Sequence, residues 1–274
     1  MRPPEGEIPP IVENWWQPMD EPECPPGWRT GPPDFVGIGA QRCGTSWWYA
    51  GAIRSHPRVE EPEGRAKELH FFDRYWAEDP PADYAERYAK FFPRPEGAIT
   101  GEWTPRYLPD AWALPLLAKA APEARILIML RDPIARYRSA IAQGIERQRK
   151  QGQYPPTIAL VGEAIGRSTY HDKVRRALEI FGRERVLMLQ FERCVAEPLA
   201  EMQRTHRFLG IKPLTELTPR LERRLSREDR ANENPELPTT LHEELKELLA
   251  EDVRRLAQLC PEIDPGLWPN FAGR

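Results

Sequence analysis

Cysteine is scarce and scattered. The 274-residue chain has four, Cys24, Cys43, Cys194 and Cys260, and no two of them form a C-x-x-C pair. That spacing indicates neither a disulfide framework nor a zinc site, and isolated thiols suit a reducing compartment. The five histidines show no metal-ligand spacing either, so no resident metal is expected. Long apolar runs are missing: Ile126 to Leu130, the apolar stretch of the clearest strand candidate, is far shorter than the ~20 residues that cross a bilayer. The opening MRPPEGEIPP lacks the apolar core of a signal peptide, so a cytoplasmic protein without a membrane span is expected. A global positive field is absent as well. With a formal net charge of −3, nucleic acid is not an expected partner and any anion site must be local.

What is present fits one globular domain: 40% of the residues are hydrophobic and 30% charged, enough to bury a sizeable core. Proline, at 31 residues, is about twice its ordinary share of ~5%. Much of it lies in residues 1–33, a Pro-rich N-terminal arm that also holds Trp15, Trp16 and Trp28. An extended arm packed on the domain of residues 34–274 is expected, with a disordered leader as the alternative.

From Asp34 onward strands alternate with helices. DFVGIG, AITGEW (98–103), RILIML (125–130) and RVLMLQF (185–191) read as buried strands. Helices are expected over Gly44 to Arg54, after Pro133, and over Tyr170 to Phe181, Pro198 to Leu209 and Thr239 to Leu259. Ala111 to Ala120 is a further candidate, with Pro115 an objection to its continuity. Gly144 to Ser168 fits no element and reads as a substrate-side insertion or mobile loop. The class is α/β: a three-layer fold with a central, mostly parallel sheet flanked by helices. Ligands in such sheets bind at the carboxyl ends of the strands, which brings together the loops after Gly39, Glu102 and Leu130.

The first of these loops, GIGAQRCGTSWW from Gly37 to Trp48, follows the pattern G-x-x-x-x-G-K-[ST] of phosphate-binding loops in all but one position. Gly39 and Gly44 have the spacing and Ser46 supplies the last hydroxyl, but Thr45 stands where lysine is required. The nearby cation is Arg42, inside the loop. Gln41, Arg42, Cys43, Gly44, Thr45 and Ser46 still combine a cation, a tight glycine and two hydroxyls in one turn, which suits a phosphate. Triphosphate hydrolysis does not fit without the lysine. RILIML ends in Arg131-Asp132-Pro133, and Ser139 lies eight residues after Arg131. An arginine fork and a serine hydroxyl suit a phosphate monoester, with Arg136 and Arg138 adding to the field. By itself the segment also reads as helix punctuation, with Asp132 as the cap.

Together, the phosphate-type loop and R-D-P-x-x-R-x-x-S resemble the sulfotransferase family, whose donor is 3′-phosphoadenosine 5′-phosphosulfate (PAPS), released as 3′-phosphoadenosine 5′-phosphate (PAP). KELHFFD (Lys67 to Asp73) and GEWTPRYL (Gly101 to Leu108) are similar to the K-E-x-H-F-F-D and G-E-K-T-P-x-Y segments of the carbohydrate (heparan-type) branch. The resemblance runs from about Phe35 to Gly210. It implies a P-loop-type fold, the 5′-phosphosulfate on the first loop, and the 3′-phosphate on Arg131 and Ser139. Glu68 matches the family's catalytic glutamate, His70 is a competing base, and Lys67 contacts the sulfonate or pairs with Glu68. The acceptor is carbohydrate-like or another small molecule, taken at a hydroxyl or amine.

Three departures stand out. Arg42 replaces a lysine assigned to the leaving oxygen. Trp103 replaces the lysine of E-K-T-P, which implies a less anionic acceptor or one with a ring to stack on. No basic C-terminal segment is evident beyond Arg223, Arg224 and Arg227. Two other classes stay open: a P-loop small-molecule kinase, which needs the missing lysine, and a catalytically silent nucleotide-binding homologue. Among the lesser features, Cys43 reads as a small loop filler, Arg147 to Lys150 (RQRK) as a solvated helix face, and Trp47 and Trp48 as core.

Overall fold

Five short segments become strands, four of them buried or nearly buried runs bounded by turn residues or charge. In the computed structural model, which describes residues 21–61, 67–150, 158–225 and 236–273, they are β1 (Phe35–Gly39), β2 (Val59–Glu60), β3 (Ile99–Trp103), β4 (Arg125–Leu130) and β5 (Val186–Gln190). They pair in the order β2-β3-β1-β4-β5, and each of these pairings is parallel. β1 and β5 are buried along their whole length, as expected of a sheet covered on both faces. The chain leaves β1 toward β2 and leaves β4 toward β5. The connections that leave the adjacent strands β1 and β4 therefore diverge at the carboxyl edge and open a crevice there.

Helix α1 (Thr45–Trp48) follows β1 and continues as a π-helical turn, Tyr49–Ile53. Next come α2 (Tyr84–Ala89) and α3 (Ala113–Ala120). Pro115 lies in the first turn of α3, where no intrahelical donor is lost, so it does not interrupt the helix. α6 (His171–Phe181), α8 (Pro198–Phe208) and α10 (Thr239–Leu259) fall where the apolar periodicity puts them. α7 (Phe191–Ala196) and α9 (Pro219–Leu225) are additional. Among the described residues, no helix is long and apolar enough to cross a membrane.

The stretch from Gly144 to Ser168 is largely helical rather than an irregular insertion. α4 runs from Pro133 to Lys150 and α5 from Ile158 to Ser168; residues 151–157 lie outside the described residues. Gly144 lets the two helices touch: a Cβ there would sit 2.3 Å from Leu160 Cδ1. The buried Arg136 then ties them together, its Nη1 donating to the Ala164 carbonyl at 2.7 Å and to Ser168 Oγ at 3.3 Å. The glycines and polar residues that hide the helical period from the sequence are thus packing and tethering positions.

The described part of the arm lies on the domain. Arg29 and Arg94 exchange backbone hydrogen bonds of 3.0 and 2.9 Å, and Lys90 Nζ meets Glu21 Oε2 at 2.8 Å. Trp28 is half-buried; Trp15 and Trp16 lie outside the described residues.

Candidate active site

A cavity of about 1200 Å³ opens at the carboxyl edge of the sheet. Eight arginine or lysine side chains and three glutamates line it, a formal charge of +5 in a chain whose total is −3. The loops after β1, β3 and β4 all reach it, and its lining concentrates positive charge in an acidic chain.

On the β4 side, the loop after β1 turns through two left-handed residues, Arg42 at φ 68° and Gly44 at φ 85°. Gly44 is needed twice over, for that φ and because a Cβ would lie 2.5 Å from the Phe191 ring. Arg42 Nε and Nη2 donate to Ser139 Oγ at 3.0 and 2.8 Å, spanning the crevice between β1 and β4. Arg136 Nε donates to the Gln41 carbonyl at 3.1 Å and so spends its charge on holding the loop. The Arg131 guanidinium lies over the Phe191 ring, 4.8 Å from its centre, with Trp47 edge-on to the same ring at 5.7 Å.

Asp132 does cap α4, its Oδ1 accepting from the Ile134 and Ala135 amides at 2.9 and 3.0 Å. Capping by Asp132 does not take this segment away from the cavity, since Arg131 and Ser139 both line it. Gln41, Thr45 and Ser46 line it as well. Cys43 is turned away. Its Sγ is buried 3.6 Å from the Tyr170 hydroxyl, its amide bonds the Ala40 carbonyl at 3.3 Å, and burial pushes its thiol up to about 11. It fills the loop's underside and offers the cavity no side chain.

On the β3 side, Glu68 Oε2 is 3.1 Å from His70 Nε2, and His70 Nδ1 is 2.7 Å from Asp73 Oδ2. Lys67 Nζ donates to Thr45 Oγ1 at 3.3 Å and lies 3.5 Å from Glu68 Oε1. Burial disfavours the charged imidazole, but bonds to Asp73 and Glu68 outweigh it, and His70 is raised to about 9. Burial likewise opposes ionisation of Glu68, yet His70 and Lys67 hold its carboxyl below the ordinary glutamate value. Lys67 is lowered, chiefly by burial.

This irregular segment is docked on β3. Glu102, fully buried, accepts from Thr104 Oγ1 at 2.6 Å, Tyr88 at 2.8 Å and Tyr107 at 3.0 Å. Tyr107 Oη and Thr104 Oγ1 in turn accept from the Phe71 and His70 amides at 2.8 and 3.2 Å.

Trp103 does not face an acceptor. It is fully buried, its Nε1 donates to the Gly39 carbonyl at 3.2 Å, and its ring fills the space beside Gly37, where a Cβ would come within 2.1 Å. It belongs to the core and says nothing of acceptor charge. Arg223 donates to the Pro219 carbonyl, whereas its neighbour Arg220 lines the cavity; the side chain of Arg224, and Arg227 altogether, lie outside the described residues. Arg147 and Lys150 belong to the cavity wall rather than to a purely solvated face. Trp48 is core, donating to Thr205 Oγ1 at 3.2 Å.

Asp73, Arg106 and Arg167 went unassigned by sequence reasoning. Asp73 was visible inside KELHFFD, but its role as the partner of His70 was not. The two arginines come together only through tertiary packing of the β3 loop and α5. Glu102 left a signal, a carboxylate inside an apolar strand.

A parallel α/β sheet thus carries a cationic cavity at its carboxyl edge, with Glu68 in its wall. The chain belongs to the sulfotransferase family, whose model matches residues 51–216, more than half of its length. KELHFFD, GEWTPRYL and RDPIARYRS all lie within that span, and the loop from Gly37 to Trp48 lies ahead of it. Human (Homo sapiens) heparan sulfate glucosamine 3-O-sulfotransferase 6 is 27% identical over 198 residues, 68% of this chain and 54% of that protein. Heparan sulfate glucosamine 3-O-sulfotransferase 5 of Mus musculus is 28% identical over 195 residues, 66% of this chain and 54% of that protein. The chain thus spans about half the length of the curated relatives it matches. The crystal structure of a sulfotransferase from Alicyclobacillus acidocaldarius superposes with a TM-score of 0.63 at 26% identity, covering 86% of this chain and 98% of that one.

Proposed function

We propose that this chain transfers a sulfuryl group from PAPS to a hydroxyl of a carbohydrate-like acceptor. One observation carries the reading: an ionised carboxylate, Glu68, fixed by His70 and Lys67 at 3.1 and 3.5 Å, lines the same cavity as a cluster of cations suited to a doubly phosphorylated nucleotide. The cavity's charge and its serine and threonine hydroxyls fit such a donor. The acceptor class rests on the likeness to heparan sulfate glucosamine 3-O-sulfotransferases.

The residues divide the work. Arg131 and Ser139 hold the donor's 3′-phosphate, and the loop Gln41 to Ser46 receives its 5′ end. Glu68 takes the proton of the acceptor hydroxyl as its oxygen attacks sulfur. His70, raised to about 9 by its bonds to Asp73 and Glu68, is assigned the role of orienting Glu68 and keeping it ionised rather than of taking the proton itself. Asp73 fixes His70 from behind. Positioning and charge stabilisation dominate such in-line transfers.

Calorimetric titration with PAP tests the donor assignment, with ATP plus magnesium and adenosine 5′-phosphosulfate as controls. Tight binding that requires the 3′-phosphate and is lost in Arg131→Ala supports it. A preference for ATP with magnesium sinks it and restores the kinase.

A further inference from the structure

We infer that residues 264–270, which do not line the cavity, form a positioning strap for the donor's 3′-phosphate station and act on it through Asp132. The inference rests on the donor reading above and adds to it a layer of residues that touch no substrate. None of Asp132, Glu192, Asp264, Trp268 and Asn270 is part of the cavity wall, yet their hydrogen bonds converge on the junction that carries Arg131 and Ser139.

That junction is where the regular structure is thinnest. β4 ends at Leu130 and α4 begins at Pro133, so Arg131 and Asp132 alone join strand to helix. The Arg131 carbonyl accepts from the Tyr170 hydroxyl at 3.0 Å, and the Asp132 amide donates to Glu192 Oε1 at 2.9 Å. The fully buried Asp132 divides its carboxylate between two tasks. Oδ1 caps α4, the helix that bears Ser139, while Oδ2 accepts from the Asn270 amide and from Asn270 Nδ2 at 3.0 and 2.9 Å. Glu192 completes the circuit, its Oε2 accepting from the indole of the buried Trp268 at 3.0 Å. The strap is itself tied at its start, where Gln190 and Asp264 exchange hydrogen bonds of 2.8 and 3.0 Å.

The consequence follows from the cost of a buried carboxylate that loses donors. With Asn270 gone, Asp132 shifts to recover a partner. The shift passes one peptide back to Arg131 and, through the cap, along α4 to Ser139. A phosphate held by a planar fork and a hydroxyl depends on the direction of both, so it registers small displacements of either. A clasp that served folding alone has no need to end on the residue that links these two groups. The strap ends there with both donors of Asn270.

The test measures dissociation constants on the full chain for three nucleotides: PAP, adenosine 3′-phosphate and adenosine 5′-phosphate. Asn270 is half-buried, and Asn270→Ala removes one of its two donors while leaving the backbone amide in place. It should weaken PAP and adenosine 3′-phosphate by the same factor, ~3–10-fold, and leave adenosine 5′-phosphate within about twofold. Asp132→Asn keeps an oxygen for the cap but turns an N–H₂ group toward the Asn270 donors, and should cost the same two ligands ~10-fold or more. Retained binding of adenosine 5′-phosphate shows that each variant is folded. Unchanged PAP affinity in both variants, or equal losses for all three nucleotides, would overturn the inference and leave the donor reading standing. An unaltered protein that binds PAP no better than adenosine 5′-phosphate would overturn the donor reading and this inference with it.

Discussion

The two flanks of the cavity are held by opposite means. On the β4 flank the functional groups sit on regular structure: Arg131 ends a strand, Ser139 rides α4, and Asp132 caps that helix through two backbone amides. On the β3 flank Lys67, Glu68 and His70 occupy a backbone with no regular structure, pinned through Thr104 and Tyr107 to the buried carboxylate of Glu102. The binding charges therefore inherit their position from strand and helix geometry, and the reacting charges from a network of hydroxyls around one acid. Damage should differ accordingly. On the β4 flank it should change affinity alone, and on the β3 flank it should change rate, fold stability or both.

The sharpest separation is expected from Glu68→Gln. Loss of the base should lower kcat by ~10²–10⁴-fold, about 3–5 kcal/mol of barrier, with PAP affinity unchanged. Arg131→Ala should do the reverse. Near-normal turnover of Glu68→Gln under saturating donor would dissolve the division between the flanks. Next in size is Glu102→Ala, which strands three hydroxyl donors in a fully buried place. Urea denaturation should show a loss of about 2–4 kcal/mol, and kcat should fall through displacement of the Lys67 to Asp73 segment. PAP binding to the folded fraction should hold. If PAP binding fails in step with kcat, the flanks are not independent. Smaller again is Gly37→Ala, whose methyl group would meet the Trp103 ring. It should cost about 1–3 kcal/mol of stability and touch neither flank selectively.

What could be read in the sequence follows the same division. β1, β3, β4 and β5 are contiguous buried runs, and RDPIARYRS carries its cap, fork and hydroxyl within nine residues, so strand, helix and anion station are local signals. β2, at two residues, is too short to show any period. The helices over 144–150 and 158–168 leave little trace in the sequence because Gly144 serves close packing and the exposed wall is polar. Trp103 was misread because the strand is buried on both faces; in such a strand an aromatic residue at a family position is as well placed for the core as for a ligand. The link from Glu68 through His70 to Asp73 lay inside one quoted stretch, yet its geometry depends on Glu102, Thr104 and Tyr107. No spacing rule within residues 67–73 encodes that.

The smallest effect separates two histidines that differ as the flanks do. His70 lies between two carboxylates and is raised to about 9. Its contribution to stability is complete below the ordinary value of 6.5 and is lost as pH rises through about 9. An alkaline limb in kcat/KM near that pH, absent in His70→Asn, would report the same proton.

His206 is buried against the His56 ring at 4.8 Å, with Nε2 on the Ala52 carbonyl at 2.6 Å and Nδ1 accepting from the Leu214 amide at 3.3 Å. That pattern requires the neutral ring, and burial lowers its pKa below 6.5. Its contribution is therefore present above 6.5 and is lost as pH falls below that value. Glu102 and Glu192, both pushed up to about 7 by burial, oppose it in the same window: they gain protons on folding, and their share of the stability grows as pH falls. The total pH dependence of the unaltered protein therefore mixes both signs. The difference in unfolding free energy between the unaltered protein and His206→Asn isolates one of them, and it should shrink steadily from pH 7.5 to pH 5.5. A difference that stays flat over that range would mean that His206 takes up its proton in the fold as readily as in the unfolded chain, and that the Ala52 and Leu214 contacts do not select the neutral ring.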